Sequence, residues 1–350
     1  ADGIVWREAS EEGVSMQKNN VKKAFLIVLL VAALYAIPTF VKNAYVLRVC
    51  VYVTIYSILA CSLNLISGVA GQVSMGHAAF YGIGAYASAL VTMRLGVPWP
   101  IGVLAAGLLA AAIGFLLAVP ALRLQGGYLV ICTVGFNELV RLVLLNWVSL
   151  TRGPMGITNI PRPVLFGVTI KSGSQYLYMS LTMFLIVYLL LNHILRSKFG
   201  RNLRAIKEDE TAAEALGINV HKEKVQAFSL AAGLAGVAGS MLAHYMVYIS
   251  PSLFIGDFST TILSMVVLGG MGSMPGSVIA ATLLTVIPEM LRGLDKYRMF
   301  IYGLLLILMM LGKTVNWETT KIGRLLMRCK PAQDRGAEKE GTKYGTAESV

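Results

Sequence analysis

PWPIGVLAAGLLAAAIGFLLAV, residues 98–119, runs for 22 positions without one charged side chain. A helix rises 1.5 Å per residue, so about 20 apolar residues cross a hydrocarbon core of about 30 Å. The stretch therefore reads as a membrane span. Comparable apolar blocks lie near 24–41, 46–67, 74–93, 127–150, 175–195, 226–249, 258–271, 276–291 and 297–312. The last three are short. Ten spans predict an all-α, polytopic membrane helical bundle.

Composition agrees. The chain is 56% hydrophobic and 14% charged, with a mean hydropathy of +0.68. A soluble domain carries roughly a quarter charged residues, so polar residues are too few here to coat a water-facing globule. A net charge of +12 would suggest nucleic acid in a soluble protein. In a bilayer protein it has another source, because Lys and Arg gather on the cytoplasmic side; no nucleic-acid partner is expected. With the N-terminus inside, segments 1–23, 68–73, 120–126, 196–225, 272–275 and 313–350 hold 20 of the 30 Lys and Arg. The outside connections hold nine, and Arg141 lies within a span. Both termini are thus expected in the cytoplasm, with a segment 1–23, a membrane domain 24–312 and a tail 313–350. Acidic Glu8, Glu11 and Glu12 precede Lys18, Lys22 and Lys23, unlike a signal peptide, and residues 1–15 read as an extension. Cys50, Cys61, Cys132 and Cys329 show no metal or redox spacing and read as small apolar residues.

Ten spans divide into two sets of five of opposite orientation, the inverted-repeat plan of many transporters. Gly71-Gln72-Val73-Ser74 and Gly256-Asp257-Phe258-Ser259 stand 185 residues apart, and Ile83-Gly84 and Leu268-Gly269 share that offset. The echo would put two helix starts at opposite membrane faces.

Polar residues inside spans mark candidate function. In SGVAGQVSMGHAAFYGIGAY, residues 67–86, small residues allow close helix packing, while Gln72, Ser74 and His77 either satisfy neighbours or line a passage. The helix start at Gly71–Ser74 also offers backbone N–H groups to a carboxylate. Span 5 carries Asn137, Glu138 and Arg141. Glu138 and Arg141, three apart, can pair, as a structural ion pair, a contact to another subunit or part of the path. With Asp257, the candidate pathway residues are Gln72, Ser74, His77, Asn137, Glu138 and Asp257. Pro38, Pro120 and Pro288 near span ends read as kinks or terminators.

The inside loop GRNLRAIKEDETAAEALGINVHKEK, residues 200–224, predicts structure of its own. Thr211-Ala212-Ala213-Glu214 fits a capping box, and Gly217 can close the short helix. Arg204 and Glu208 stand four apart on a preceding helix. A short capped helix at a membrane surface suggests docking to a partner.

That loop resembles the coupling loop of ABC importer permeases through Ala212-Ala213-Glu214-Ala215-Leu216-Gly217. Together with GQVSMGHAAFYGIGAY, TRGPMGITNIPRP (151–163) and VLGGMGSMPGSVIAA (267–281), the chain from about 22 to 312 resembles permease subunits of branched-chain amino acid importers, the LivM type. The resemblance implies a bacterial inner-membrane assembly of two related permeases, two cytoplasmic ATPases and an extracytoplasmic binding protein. Residues 202–217 would contact an ATPase. The correspondence is direct for Ala213, Glu214, Ala215 and Gly217, and positional for Arg204, Glu208 and Asp209. ATP and magnesium would belong to the ATPases, with no cofactor on this chain. Gly312-Lys313-Thr314 mimics a phosphate loop, but Ile307 stands where the first glycine of G-x-x-x-x-G-K-[ST] is needed.

Three rivals remain. Urea or short-amide importer permeases share these features and differ in substrate. An ion-coupled secondary transporter would show inverted repeats but needs no docking helix. A membrane-embedded enzyme lacks support, since His77, His193, His221 and His244 fall on separate segments.

Overall fold

The computed structural model describes residues 43–290 apart from 125, 166 and 171, together with Tyr35, Pro38, Gly303 and Ile307. The stretches read as spans at 24–41 and 297–312, the tail and Gly312-Lys313-Thr314 lie outside the described residues, save those four. Residues 1–295 form one compact unit, to which nearly all the described residues belong; of the unit 296–350 only Gly303 and Ile307 are described, both helical.

The described residues are helical with four two-residue strands. Helix α1 (Ala44–Leu63) opens on Asn43, whose side chain accepts from the Tyr45 amide, and runs into a π-helix at Asn64–Val69. Residues 70–76 are irregular. Then come α2 (His77–Leu95), α3 (Trp99–Ala121), α4 (Gly127–Asn146) and a short α5 (Val148–Thr151). Strands β1 (Ile157–Thr158), β2 (Val164–Leu165) and β3 (Val168–Thr169) follow, the last two forming a hairpin. Next are α6 (Gly173–Arg196), α7 (Lys198–Glu208), α8 (Glu210–Ala215) and α9 (Val220–Met246). Strand β4 (Tyr248–Ile249), which pairs antiparallel with β1, α10 (Gly256–Gly269) and α11 (Met274–Met290) complete the order.

Six segments of the described residues are long and apolar enough to cross a membrane: 44–69, 99–121, 127–146, 173–196, 220–246 and 251–269. Helix α2 falls short on hydropathy because His77 and Arg94 stand at its ends, and α11 is only 17 residues long. Both are nonetheless helices. Helices therefore stand in eight of the stretches expected as spans, and the chain is a polytopic helical bundle.

Helix α9 is the axis of the bundle and packs on α2 and α3. Glycine makes this possible. A methyl group at Gly84 would overlap the Gly236 backbone, and one at Gly236 would lie 2.6 Å from the Ala106 carbonyl oxygen. Close backbone approach of this kind substitutes for the hydrophobic drive that lipid cannot supply. Polar bonds cross the same seam. Ser88 Oγ lies 2.7 Å from Ser240 Oγ and 2.9 Å from His244 Nε2, and His244 Nδ1 lies 2.7 Å from the Pro161 carbonyl. Tyr176 donates to the Met241 carbonyl at 2.5 Å, tying α6 to α9. Helix α1 packs on α6 and α11, and α10 on α11. Helix α4 is the most exposed of the long helices, about a fifth of its apolar window being buried.

Candidate functional site

Two features carry candidate function: the α7–α8 corner and the junction of the α2 and α10 starts. In α7, Gly200, Leu203 and Ile206 recur every three residues and are buried, while Arg201, Arg204, Lys207 and Glu208 face outward. The expected Arg204–Glu208 pair is not made. Arg204 Nη2 instead donates to the Leu195 carbonyl at 3.2 Å, bracing the corner from α6. Asp209 is extended (φ −155°, ψ 115°). Its N–H closes α7 on the Ala205 carbonyl, and its carboxylate accepts from the Ala212 N–H at 3.0 Å to open α8. Asp209 is thus the N-cap, and the Thr211 capping box does not form: two helices joined by one residue need their cap at that residue, and Thr211 is already inside the first turn.

The far end of α8 closes as the sequence suggests. Gly217 has φ +80°. Its N–H reaches the Glu214 carbonyl at 2.9 Å, and the Ile218 N–H reaches the Ala213 carbonyl at 3.1 Å, a Schellman motif. Ile218 packs on a small core of Ile206, Ala213 and Val220. Ala213 is therefore a packing residue facing inward. Glu214, Ala215, Gly217 and Leu216, the last 80% exposed, form the outward surface.

This corner is fastened to α9. Lys224, 5% exposed, pairs with Glu210 of α8, and Asn202 Nδ2 of α7 donates to Glu223 Oε1 at 2.8 Å. It also reaches the membrane helices. Gly71 has φ +72°, and a methyl there would meet Lys207 Cγ at 3.1 Å. Beside it Ser67 Oγ donates to the Gln72 carbonyl at 3.2 Å. Asn64, fully buried in the π-helix, accepts from the Gly272 N–H at 2.8 Å between α10 and α11. One end of the bundle thus gathers α7, the turn at Gly71 and the α10–α11 loop.

The second feature differs from expectation in register. Helix α2 begins at His77, three residues after Ser74, because Gly71-to-Gly76 is irregular. Three backbone donors around its start are already taken. The Met75 N–H is taken by Thr133 Oγ1 at 3.1 Å, the Gly76 N–H by Ser74 Oγ at 3.4 Å and the Ala78 N–H by Ser259 Oγ at 2.9 Å. The last bond also corrects the placement of the two helix starts at opposite faces: α2 and α10 begin side by side. His77 and Asn137 are buried around this junction. Ser62 donates to the Leu59 carbonyl, so its oxygen accepts from His77 Nε2 at 2.9 Å, leaving His77 Nδ1 without a partner. A methyl at Gly256 would lie 3.9 Å from Asn137 Nδ2, while Asn137 Oδ1 has no partner. Glu138 is not part of the cluster. It pairs with Arg141 at 2.6 Å on the outer face of α4, 50% exposed.

A cavity of about 370 Å³ opens near this junction, lined by Tyr52, Tyr56, Tyr81, Met246, Asp257 and Phe258 among others. A second, of about 590 Å³, shares Tyr52 and Met246 and carries Arg48 and Arg162. Gln72 lies apart, at the α7 end. Sequence reasoning missed Asn64, Glu210, Lys224 and the tyrosines. A lone Asn within CSLNLISG was the available signal for the first; the others depend on distant partners. Among the described residues no three His, Cys, Asp or Glu side chains gather as a metal site.

The sequence profile of the family described as "Branched-chain amino acid transport system / permease component" matches residues 45–310. The high-affinity branched-chain amino acid transport system permease protein LivM of Escherichia coli is 39% identical over 315 residues, 83% of this chain and 74% of that protein. The permease protein LivH of the corresponding Salmonella typhimurium system is 30% identical, covering 66% of this chain and 80% of that protein. A solved chain of PsaBC from Streptococcus pneumoniae aligns with a TM-score of 0.41 at 14% identity, over 77% of this chain and 88% of that chain.

Proposed function

Because the chain belongs to the permease-component family of branched-chain amino acid transport systems, we propose that it is the translocating subunit of an ATP-driven importer for these amino acids. It is a multi-pass membrane subunit, and the chemical work of hydrolysis falls to other chains. Two ATPase subunits hold ATP and magnesium, and one docks on the α7–α8 corner, which faces the cytoplasm. A related permease covers the outer face of α4: the Glu138–Arg141 pair there would be costly in hydrocarbon, and both LivM-type and LivH-type permeases are similar to this chain. A binding protein delivers substrate at the opposite end.

The full span count is ten, five plus five, with both termini in the cytoplasm. Packing supports the inversion. Helix α1 packs on α10 and α11 as α9 packs on α2 and α3, while α2 contacts α3 and α10 contacts α11. Two starts meeting at Ala78 and Ser259 suit half-helices related by an axis in the membrane plane.

The observation that carries the coupling role is α8 itself. It is closed at both ends, fastened to α9 through Glu210 and Lys224, and adjoins α7, whose Lys207 touches Gly71. A push on this corner reaches the irregular segment 70–76 that leads into α2. The test is uptake in vesicles carrying the permease with its cognate partners. Labelled leucine is expected to accumulate with ATP and labelled urea not. Leucine uptake that survives ATP depletion but collapses with the ion gradient would sink the reading.

A further inference from the structure

The cavity beside the helix junction combines features the translocation role alone does not explain. One wall is aromatic: Phe258 lies 5.4 Å from Tyr81 and 5.3 Å from Tyr56, measured between ring centres. Tyr81 is 1% exposed, yet its hydroxyl has no hydrogen-bond partner. A buried, unpaired hydroxyl is costly, so something polar is expected to meet it in the working cycle. Asp257, beside Phe258, also lines the cavity; it lies open to solvent and makes no ion pair among the described residues. It stands in the first turn of α10. Leu242 and Met246 add apolar surface to the lining. At about 370 Å³, the space falls at the small end of the range for ligand cavities.

We infer that this cavity is a transit site for the substrate, which holds the α-ammonium group of an apolar amino acid at Asp257 and its carboxylate at the Tyr81 hydroxyl. The inference rests on the importer reading and narrows it to a place. Each end of the zwitterion then meets a group of suitable chemistry, with ammonium against carboxylate and tyrosine faces, and carboxylate against a hydroxyl donor. The apolar side chain lies against Met246 and Phe258. The larger cavity, sharing Tyr52 and Met246, is the approach.

The test is equilibrium binding of labelled leucine to the complete purified transporter in lipid nanodiscs, without the binding protein. Asp257→Asn is expected to weaken binding roughly tenfold or more, and Tyr81→Phe by a smaller but measurable factor. Asp257→Glu should restore most of the affinity. Subunit assembly and the thermal unfolding midpoint of the complex should match the wild type in all three, which sets folding damage apart. If Asp257→Asn does not assemble, Tyr81→Phe decides alone. The inference is overturned if the assembled variants bind leucine within twofold of the wild type, or if the wild-type complex binds none. It is also overturned if Asp257→Asn releases another subunit while leucine affinity holds. Failure of the importer reading would show separately, as absence of ATP-driven leucine uptake by the wild-type complex.

Discussion

Leu216 offers the sharpest measure of whether α8 is a docking helix. Its side chain is 80% exposed, and its backbone N–H is already bonded to the Ala212 carbonyl. Truncation to alanine therefore removes surface without disturbing the fold. Leu→Ala deletes about three carbon groups, worth about 0.8 kcal/mol each when buried. Scaled to the 80% now open to solvent, full burial against an ATPase would contribute about 2 kcal/mol, or about thirtyfold in Kd. The assay is the affinity of the isolated ATPase subunit for nanodisc-held permease, by biolayer interferometry. Thermal unfolding of Leu216→Ala should match the wild type, since an exposed substitution of this kind stays within about 0.5 kcal/mol. Affinity within twofold of the wild type would refute the reasoning, because the most exposed apolar side chain of the corner would then not be in the interface.

Three further outcomes follow from the geometry. Gly84→Ala should destabilise the bundle by about 2–3 kcal/mol, since its methyl group would lie 2.6 Å from the Gly236 carbonyl carbon with rigid backbone on both sides; Gly135→Ala, with open space around it, should not, and equal melting temperatures would contradict the packing. Asn64→Leu removes the bond to the Gly272 N–H in an exposed turn, which costs about 0.5–1.5 kcal/mol; faster proteolysis of the α10–α11 loop is expected, and unchanged cleavage would count against the bridge. Glu210→Ala strands the buried Lys224 amine, whereas Lys224→Met leaves a carboxylate that is 42% exposed. The first should therefore lower the ratio of leucine imported to ATP hydrolysed more than the second, and the reverse order would refute the clamp.

The membrane helices were legible because charge-free runs of about 20 residues have few other uses. Their packing was not. Gly84 and Gly236, or Asn64 and Gly272, lie far apart in sequence, and nothing local announces the partner. The corner at 198–217 was half legible. Gly217 follows from its left-handed backbone need, but the N-cap was misassigned because Asp209 and Thr211 are both competent caps. Only the sharp break after Glu208 selects between them. Glu138 and Arg141 show their pairing through spacing alone, while their outward direction depends on which face α4 buries. Among the pathway candidates, His77, Asn137 and Asp257 gather at the junction. Gln72 does not, because residues 70–76 leave the helix before reaching it.

The glycine seam between α2 and α9 also sets the order of events at the ribosome. Gly84 enters the bilayer long before Gly236 exists, and at about 5–20 residues per second the chain from Gly84 to Met246 takes roughly 10–30 s to appear. Throughout that interval α2 and α3 lack their partner, with the Ser88 hydroxyl unanswered by Ser240 and His244. The nascent bundle therefore holds an open, small-residue face in lipid, and cellular membrane-protein quality control has that window in which to intervene. A truncation that stops short of α9 leaves the window open for good, so such fragments are expected to be degraded while chains completed through Met246 persist.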